Sequence, residues 1–408
     1  MPMLVNSQII TPSHDLTMTL AALLSQQVPW TAITDDWQAL LDAADYHRVL
    51  GILMAQMPAD TLPADLHART KARIKQEAMI QLKQREHIHR VNHLLQAQDI
   101  PALWLKGAAI APMLYETSEL RIMTDIDVLV PYHQRRQALA ILREAGYHMR
   151  QYTISDHTLS LDEIDDYTHH YELFRQELNI IVRVELHYDL FKRRGGHGDR
   201  EELAWFWEHS TFYEDRIGTL RVMKPEPLLL YLAAHDILQH DMKDLGDTSY
   251  TGIRLLRKYD VYRLLQRHDI DWQMTYAKAR RMNWVFALNE SLRQVQTFFG
   301  ITLPADARQL LQQHTIAPQA LSDSQKKAAI YLRSARQMTW RMRLRYLWYD
   351  VIFIERANMR RVYDLSPATP VFPYYIWRIV TKTLVLLQLL GRELRARLRR
   401  TTDEASDG

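Results

Sequence analysis

The chain has no cysteine among its 408 residues. Disulfides, thiolate nucleophiles and Cys-ligated zinc are therefore excluded, and with them a secreted disulfide scaffold. Glycine is scarce, at 12 residues where average usage is roughly 7 %. No G-x-S-x-G elbow and no Walker-type Gly-rich loop occurs, which removes α/β-hydrolase and P-loop chemistry. No apolar run reaches the roughly 18 to 20 residues that a membrane-spanning helix needs. The apolar patch LTMTLAALL, Leu16 to Leu24, follows His14 and Asp15 rather than Lys or Arg, so the export-signal pattern fails. These absences together fit a cytoplasmic protein.

A strong charge of either sign is also lacking. Lys plus Arg number 51 and Asp plus Glu 48, a net charge of +3 that is too small to argue a nucleic-acid-coated surface. Its distribution is uneven. Val371 to Arg400 carries Arg378, Lys382, Arg392, Arg395, Arg397, Arg399 and Arg400 against one acid, Glu393. The segment Tyr374 to Arg400 has aromatic residues at one end, an apolar middle and arginines at the other. Such a segment packs on the rest of the protein with its arginines outward, binds an acidic partner, or lies on an anionic membrane surface. Apolar residues make up 47 % and charged residues 24 %, which is globular usage, so disorder is expected at the last few residues, TTDEASDG, and not elsewhere.

Apolar residues recur at three- and four-residue spacing through most of the chain, and the fold class read from this is α+β and mainly helical. Helices are expected at Asp36 to Met54, Arg73 to Gln98, His133 to Ala145 and, with breaks, Glu226 to Phe299. The middle differs. IPALWLKG reads as a short buried strand stopped by Gly107, AAIAPMLYE as a helix, MTDIDVLVP as a strand ended by Pro131, and HQRRQALAILREAGY as a helix closed by Gly146. HHYELFR and NIIVRVELHYDLF, rich in Ile, Val and Tyr, read as two more strands, and KRRGGHGDR as the loop after them. The expected organisation is an N-terminal helical region over 1–99, a small mixed-sheet core with flanking helices over 100–200, a helical domain over 201–320, and a C-terminal helical region with a basic amphipathic end over 321–408.

One strand breaks the rule that strands bury apolar side chains. In LRIMTDIDVLV, residues 120–130, Asp125 and Asp127 sit two apart and project to the same face, while Ile126, Val128 and Val130 project to the other. Like charges at such positions lie roughly 6 to 7 Å apart, and each raises the proton affinity of the other unless a cation intervenes. Magnesium, which prefers oxygen ligands and takes one or two carboxylates plus substrate phosphates, is a suitable cation. The competing reading is a pair of solvated aspartates at a sheet edge, or aspartates paired with Arg121 or Arg135. Three neighbouring features favour the metal. Lys106 and Arg121 place positive charge near the same sheet end. Gly107 stands at a strand-to-helix turn, where backbone N–H groups hold anions. VRVELHYDL repeats the pattern, with Val182, Val184 and Leu186 alternating with Arg183, Glu185 and His187, so a third carboxylate joins the polar face of a later strand. Three acids on adjacent strands suit two metal ions.

These elements resemble the uncharacterised nucleotidyltransferase family of the DNA polymerase β-like superfamily. The likeness runs from about Leu103 to Leu265: the L-K-G turn at Leu105 to Gly107, R-x-x-x-D-I-D-V-L-V from Arg121 to Val130, the E-L-H strand at Glu185 to His187, a helix carrying His235, and the Asp of KYDVYRLL. The resemblance implies a nucleoside triphosphate substrate, probed most simply with ATP, and magnesium as cofactor. It implies Asp125 and Asp127 as paired metal ligands, Glu185 as the third carboxylate, and Gly107 as the turn glycine. Lys106 and Arg121 match basic positions of the family, and triphosphate contact is the role expected for them. The activity implied is transfer of a nucleoside monophosphate to a hydroxyl acceptor, which nothing in the sequence identifies as small molecule, protein or RNA. Gly107 is followed by Ala108 where the superfamily usually has Ser or Gly. A non-catalytic nucleotide- or partner-binding descendant therefore stays open as a second reading. His235-Asp236 mimics the pair of metal-dependent phosphohydrolases, but in an α-helix His240 and Asp241 lie about 140° away around the axis. His169-His170 precede a strand from which they could reach the site across the sheet, and a solvated or core-satisfied role is the one expected.

Overall fold

The computed structural model describes residues 12–190 and 200–314 apart from short breaks (33–35, 59, 155–156, 159, 178, 216–217, 242–253 and 283), together with isolated stretches between 359 and 384. Four helices come first: α1 (His14–Leu24), α2 (Trp37–Tyr46), α3 (Leu50–Gln56) and the long α4 (Ala64–Gln96). Side chains set their starts. Ser13 accepts from the Leu16 N–H and Asp36 from the Ala39 N–H, each satisfying a donor the helix leaves orphaned. The export-like patch of the sequence is α1, and Leu20, Ala21, Leu23 and Leu24 bury it in the core.

The middle of the chain alternates strand and helix: β1 (Leu103–Trp104), α5 (Lys106–Leu114), β2 (Ile126–Leu129), α6 (Arg135–Glu144), β3 (His148–Met149), β4 (Thr153–Ile154), β5 (His157–Thr158), α7 (Leu161–Tyr167), β6 (His170–Glu177) and β7 (Ile180–His187). Gly146, at φ +87°, takes the left-handed conformation that ends α6. After α8 (Arg200–Glu208) comes a hairpin, β8 (Ser210–Asp215) and β9 (Gly218–Met223), in a region read from the sequence as helical. Then α9 (Pro225–Ala234) opens with proline at its first turn, where the missing N–H costs nothing. Further helices follow at Leu255–Arg267, Trp272–Met282, Val285–Phe299 and Ala305–His314.

Seven strands form one mixed sheet in the order β3-β6-β7-β2-β1-β9-β8, and β4 and β5 pair separately. β2 runs parallel to β7 and antiparallel to β1, and β9 runs parallel to β1. The sheet has two differently treated faces. Trp104, Ile126, Val128, Val130, Val182, Val184, Leu186, Leu220 and Val222 point into one core, which they share with Ile88, Val91 and Leu95 of α4 and Leu139 and Leu142 of α6. Leu103, Leu105, Leu129 and Met223 point into a second, larger core formed with α1, α2, α3, α5, α9 and the later helices. Because side chains alternate, the positions of β2 and β7 opposite the first core are the ones free to carry polar groups.

The sequence makes α4 look polar, yet one side of it is buried, and several of the polar residues there have partners. Gln81 donates to the Met123 carbonyl at 3.1 Å and accepts from the Met123 N–H at 2.8 Å. Asn92 donates to the Thr219 carbonyl and accepts from the Trp104 indole, each at 3.1 Å. His87 Nδ1 stands 2.6 Å from the Tyr147 hydroxyl. Such bonds make burial of polar side chains tolerable.

Among the described residues no helix is long and apolar enough to cross a membrane. Of the amphipathic segment Tyr374 to Arg400, the described part exposes Ile376, Trp377, Val380 and Leu384. Residues 385–400 and Lys382 lie outside the described residues.

Asp236 and Lys258, both buried, form an ion pair, joined by Arg257 Nε at 2.7 Å from Asp236. Burial pushes the Asp236 carboxyl up, and the two cations push it down further, leaving it below its ordinary range. Asp236→Asn leaves the Lys258 charge buried without its counter-ion, so urea denaturation at neutral pH should show a loss of roughly 3–5 kcal/mol. A carboxyl depressed in the folded state adds stability above its unfolded pKa, and this is lost as pH falls through the folded pKa. The gap between native chain and variant should therefore narrow in acid.

Candidate active site

The parallel pairing of β2 with β7 places Asp127 directly beside Glu185, and Leu129 beside His187. Partners in register on neighbouring strands share a face, so the two carboxylates meet although 58 positions separate them in the chain. Asp125 lies in the bend just before β2 and is half-buried. Its Oδ1 accepts from the Thr124 hydroxyl at 3.2 Å, and Arg48 Nη1 holds that hydroxyl from the other side, also at 3.2 Å. The Gln81 bonds to Met123 fix the main chain two residues earlier.

Lys106 and His187 stand between the carboxylates. The Lys106 ammonium lies 2.6 Å from Asp127 Oδ1 and 3.7 Å from Glu185 Oε2. His187 Nε2 lies 3.0 Å from Asp127 Oδ1 and 3.3 Å from Glu185 Oε2. Asp127 and His187 are 1 % exposed at their side chains, whereas Glu185 and Lys106 keep 17 % and 18 %, which is the open side of the cluster. Lys106 sits at φ +43°, a left-handed conformation that an L-residue adopts at a cost of roughly 1–3 kcal/mol. That cost sets its side chain on the carboxylates at the first turn of α5.

The titration behaviour follows from these contacts. Burial disfavours the Lys106 ammonium, but Asp127, Tyr231 and Glu185 outweigh it and hold the amine well above its ordinary pKa. Burial likewise opposes a charged His187, and its bonds to Asp127 and Glu185 reverse the sign, raising it. Glu185 is held well below the usual carboxylate range, because His187 and Lys106 overcome its burial. Asp125 goes the other way. Burial first, and then the charges of Asp127 and Glu185, push it up to about 6 against the pull of Lys106.

Gly107 follows Lys106 in α5 and is needed for space. A Cβ there would lie 2.5 Å from Met123 Cγ and 2.6 Å from Arg121 Nη1. Arg121 was expected to face a triphosphate, and its donors go elsewhere: Nη2 and Nε to Asp260 at 2.7 and 3.3 Å, and Nη1 to the Ile122 carbonyl at 3.0 Å. Asp260 also accepts from the Tyr115 hydroxyl at 2.7 Å. Arg121 therefore ties the turn before β2 to the helix Leu255–Arg267.

Sequence reasoning left out His187 as a site residue, although it stands two positions from Glu185 on the polar face. It preferred a solvated or core-satisfied role for His169 and His170 over one that reaches the site across the sheet, and the structure brings both rings against His187. Gln81, Arg48 and Tyr231 carried no sequence signal, since what defines them is a partner far along the chain. His235 is buried, its ring 5.9 Å from that of Tyr231. The turn His235–Asp241 is π-helical, so the α-helical angle between the two His-Asp pairs does not apply. The Asp236 carboxylate is committed to Lys258 and Arg257, and the side chains of His240 and Asp241 lie outside the described residues. A cavity of about 690 Å³ lies apart from the carboxylates, lined by Arg143, Tyr147, Arg150 and Tyr152 among others.

The donor set suits a hard divalent cation. One ligand atom each from Asp127, Glu185 and His187 lie within 4.8 Å of one another, a group that does not include Asp125, and two of the three donors are the carboxylate oxygens such a cation prefers.

Residues 34–300, well over half of the chain and including the sheet and all three carboxylates, match the family described as uncharacterised nucleotidyltransferase. The chain belongs to that family. Among solved structures it is similar to an antigenic nucleotidyltransferase-like protein from Paracoccidioides brasiliensis, at 12 % identity over 56 % of this chain and 92 % of that one, with a TM-score of 0.33. No curated protein matches it.

Gly107→Ala should force Met123 and the pinned Arg121 aside, costing about 1–3 kcal/mol of stability in a denaturant melt. Unchanged stability would show that the turn has slack.

Proposed function

We propose that the chain is a metal-dependent nucleotidyltransferase that moves a nucleoside monophosphate from a nucleoside triphosphate to a hydroxyl acceptor, releasing pyrophosphate. The observation that carries this reading is the in-register pair Asp127 and Glu185, with Asp125 at the mouth of the same strand. These three residues would hold magnesium, two ions once triphosphate oxygens complete the ligand sets. The cation supplies neutralisation of the phosphate oxygens and a lowered pKa for the acceptor hydroxyl.

The chain's own residues provide orientation and charge. Lys106, partly exposed at the start of α5, reaches the open side of the cluster and can exchange Asp127 for a phosphate oxygen. The first turn of α5 adds unpaired backbone N–H groups, with Ala108 contributing a main-chain donor and no hydroxyl. Glu185, whose carboxyl His187 and Lys106 hold low, is given the role of ligation and electrostatics. In the displacement the acceptor hydroxyl gives its proton to solvent, its oxygen bonds to the α-phosphorus, the bond from that phosphorus to the bridging oxygen breaks, and pyrophosphate departs. Arg121 is a positioning residue in this scheme, holding the Gly107 turn through Asp260. The expected division of the chain into a 100–200 core with helical regions around it is kept as part of the proposal, with the hairpin Ser210–Met223 added to the core's sheet.

Incubation with each labelled triphosphate and magnesium should release pyrophosphate, and Asp127→Asn should reduce the rate at least about 100-fold, as loss of several kcal/mol of charge stabilisation requires. A chain that binds triphosphate yet releases no pyrophosphate with any acceptor extract would instead be the non-catalytic descendant.

Magnesium affinity should depend on pH through Asp125. The cation needs the ionised carboxylate, and below about pH 6 this group is increasingly protonated. Calorimetric titration without nucleotide should show affinity falling as pH drops from 7 to 5, by up to roughly tenfold per unit below 6, and Asp125→Asn should flatten that slope.

A further inference from the structure

Beyond the carboxylates, three histidines converge at the end of the same sheet. His170 opens β6 and His187 closes β7, and the antiparallel register sets them directly opposite each other, with His169 one residue earlier. The ring centroids are 4.6 Å apart for His169 and His170, 4.9 Å for His170 and His187, and 5.2 Å for His169 and His187. One ring nitrogen from each lies within 4.8 Å of the others.

The protein leaves these nitrogens poorly satisfied. His169 Nε2 and His170 Nδ1 face each other at 3.4 Å, long for a hydrogen bond. Two ligands on a tetrahedral ion with bonds of about 2.0–2.1 Å stand roughly 3.3 Å apart, so the spacing suits coordination better. His187 is 1 % exposed, and with Nε2 taken by Asp127 and Glu185 its Nδ1 is buried with no hydrogen-bond partner. His169 Nδ1 is likewise buried and unpaired. A histidine whose one nitrogen is held by a carboxylate and whose other has no hydrogen-bond partner is the arrangement that orients an imidazole toward a metal, which on binding displaces the proton from that second nitrogen.

We infer that His169, His170 and His187 bind a divalent transition metal of the zinc kind, with His187 ligating through Nδ1, at a position separate from the magnesium carboxylates. Imidazole nitrogens are borderline-soft donors that select zinc, cobalt, nickel or copper, while magnesium keeps to oxygen. Three protein ligands leave a fourth position open, the pattern of a site that meets solvent or substrate. Glu185 Oε1, 3.8 Å from His170 Nε2, stands at the boundary between the two positions.

Equilibrium dialysis of the metal-free full chain against zinc tests this, with millimolar magnesium present to fill the oxygen site and no nucleotide, so that the result is independent of transferase activity. One zinc per chain is expected, with His169→Ala and His170→Ala each weakening it at least about tenfold. No zinc uptake by the native chain, or uptake that neither substitution weakens, would overturn the assignment. X-ray absorption at the zinc edge of the native chain settles the case in which a variant fails to fold. A shell with three imidazoles supports the site, and a shell dominated by carboxylate oxygen refutes it.

Discussion

Two carboxylates on neighbouring parallel strands, Asp127 and Glu185, set the terms for everything around them. Ligand atoms within 4.8 Å of each other repel by roughly 3–4 kcal/mol at an effective dielectric of about 20. Lys106 at 2.6 Å and His187 at 3.0 Å lie closer to Asp127 than that, so attraction outweighs repulsion before any ion arrives. The strained backbone of Lys106 is explained by the same balance, since the left-handed turn is what puts its ammonium on the carboxylates. Asp125, at the entrance, keeps a raised proton affinity, from its own burial first and then from the charges of Asp127 and Glu185. A cleft with clustered carboxylates and a partly exposed lysine is suited to a divalent cation and a polyanion together. It is poorly suited to a polyanion alone.

The elements that show in the sequence are those whose signal is local. Ile126, Val128 and Val130 alternate with the aspartates, and β2 lies where that alternation predicts, although Asp125 falls just before the strand rather than within it. Gly146 ends α6 because only a left-handed residue closes that helix readily, and glycine shows it by name. The family and the α+β, mainly helical class were legible for the same reason. What escaped depends on partners far along the chain. Gln81 reads as one more polar residue of α4, and its meaning lies in the main chain of Met123, 42 positions on. Arg121 looks like a phosphate ligand beside two aspartates, until Asp260, 139 positions away, takes its guanidinium. The hairpin β8–β9 was read as helix because Thr211 to Tyr213 and Leu220 to Met223 are too short a stretch to impose a period of two against helical neighbours.

The distant partners share one arrangement. Gln81 of α4 grips the chain at Met123 from one side of the sheet, and Asp260 grips Arg121 from the other. Only Ile122 lies between those two anchors, and Thr124 and Asp125 follow directly after the second. Met123 and Arg121 also form the wall against which Gly107 packs, so the same anchors fix the first turn of α5 and with it Lys106. The carboxylate at the mouth and the lysine opposite it are therefore positioned by one shared piece of structure, held from helices that contribute no ligand. A shift of α4 or of the helix Leu255–Arg267 would move Asp125 and Lys106 together, keeping their separation while changing their placement over β7. Geometry at Glu185 is set independently, by register with β2 and β6. The site thus draws on two sets of contacts, and the strand pairing of Asp127 with Glu185 is the seam that joins them.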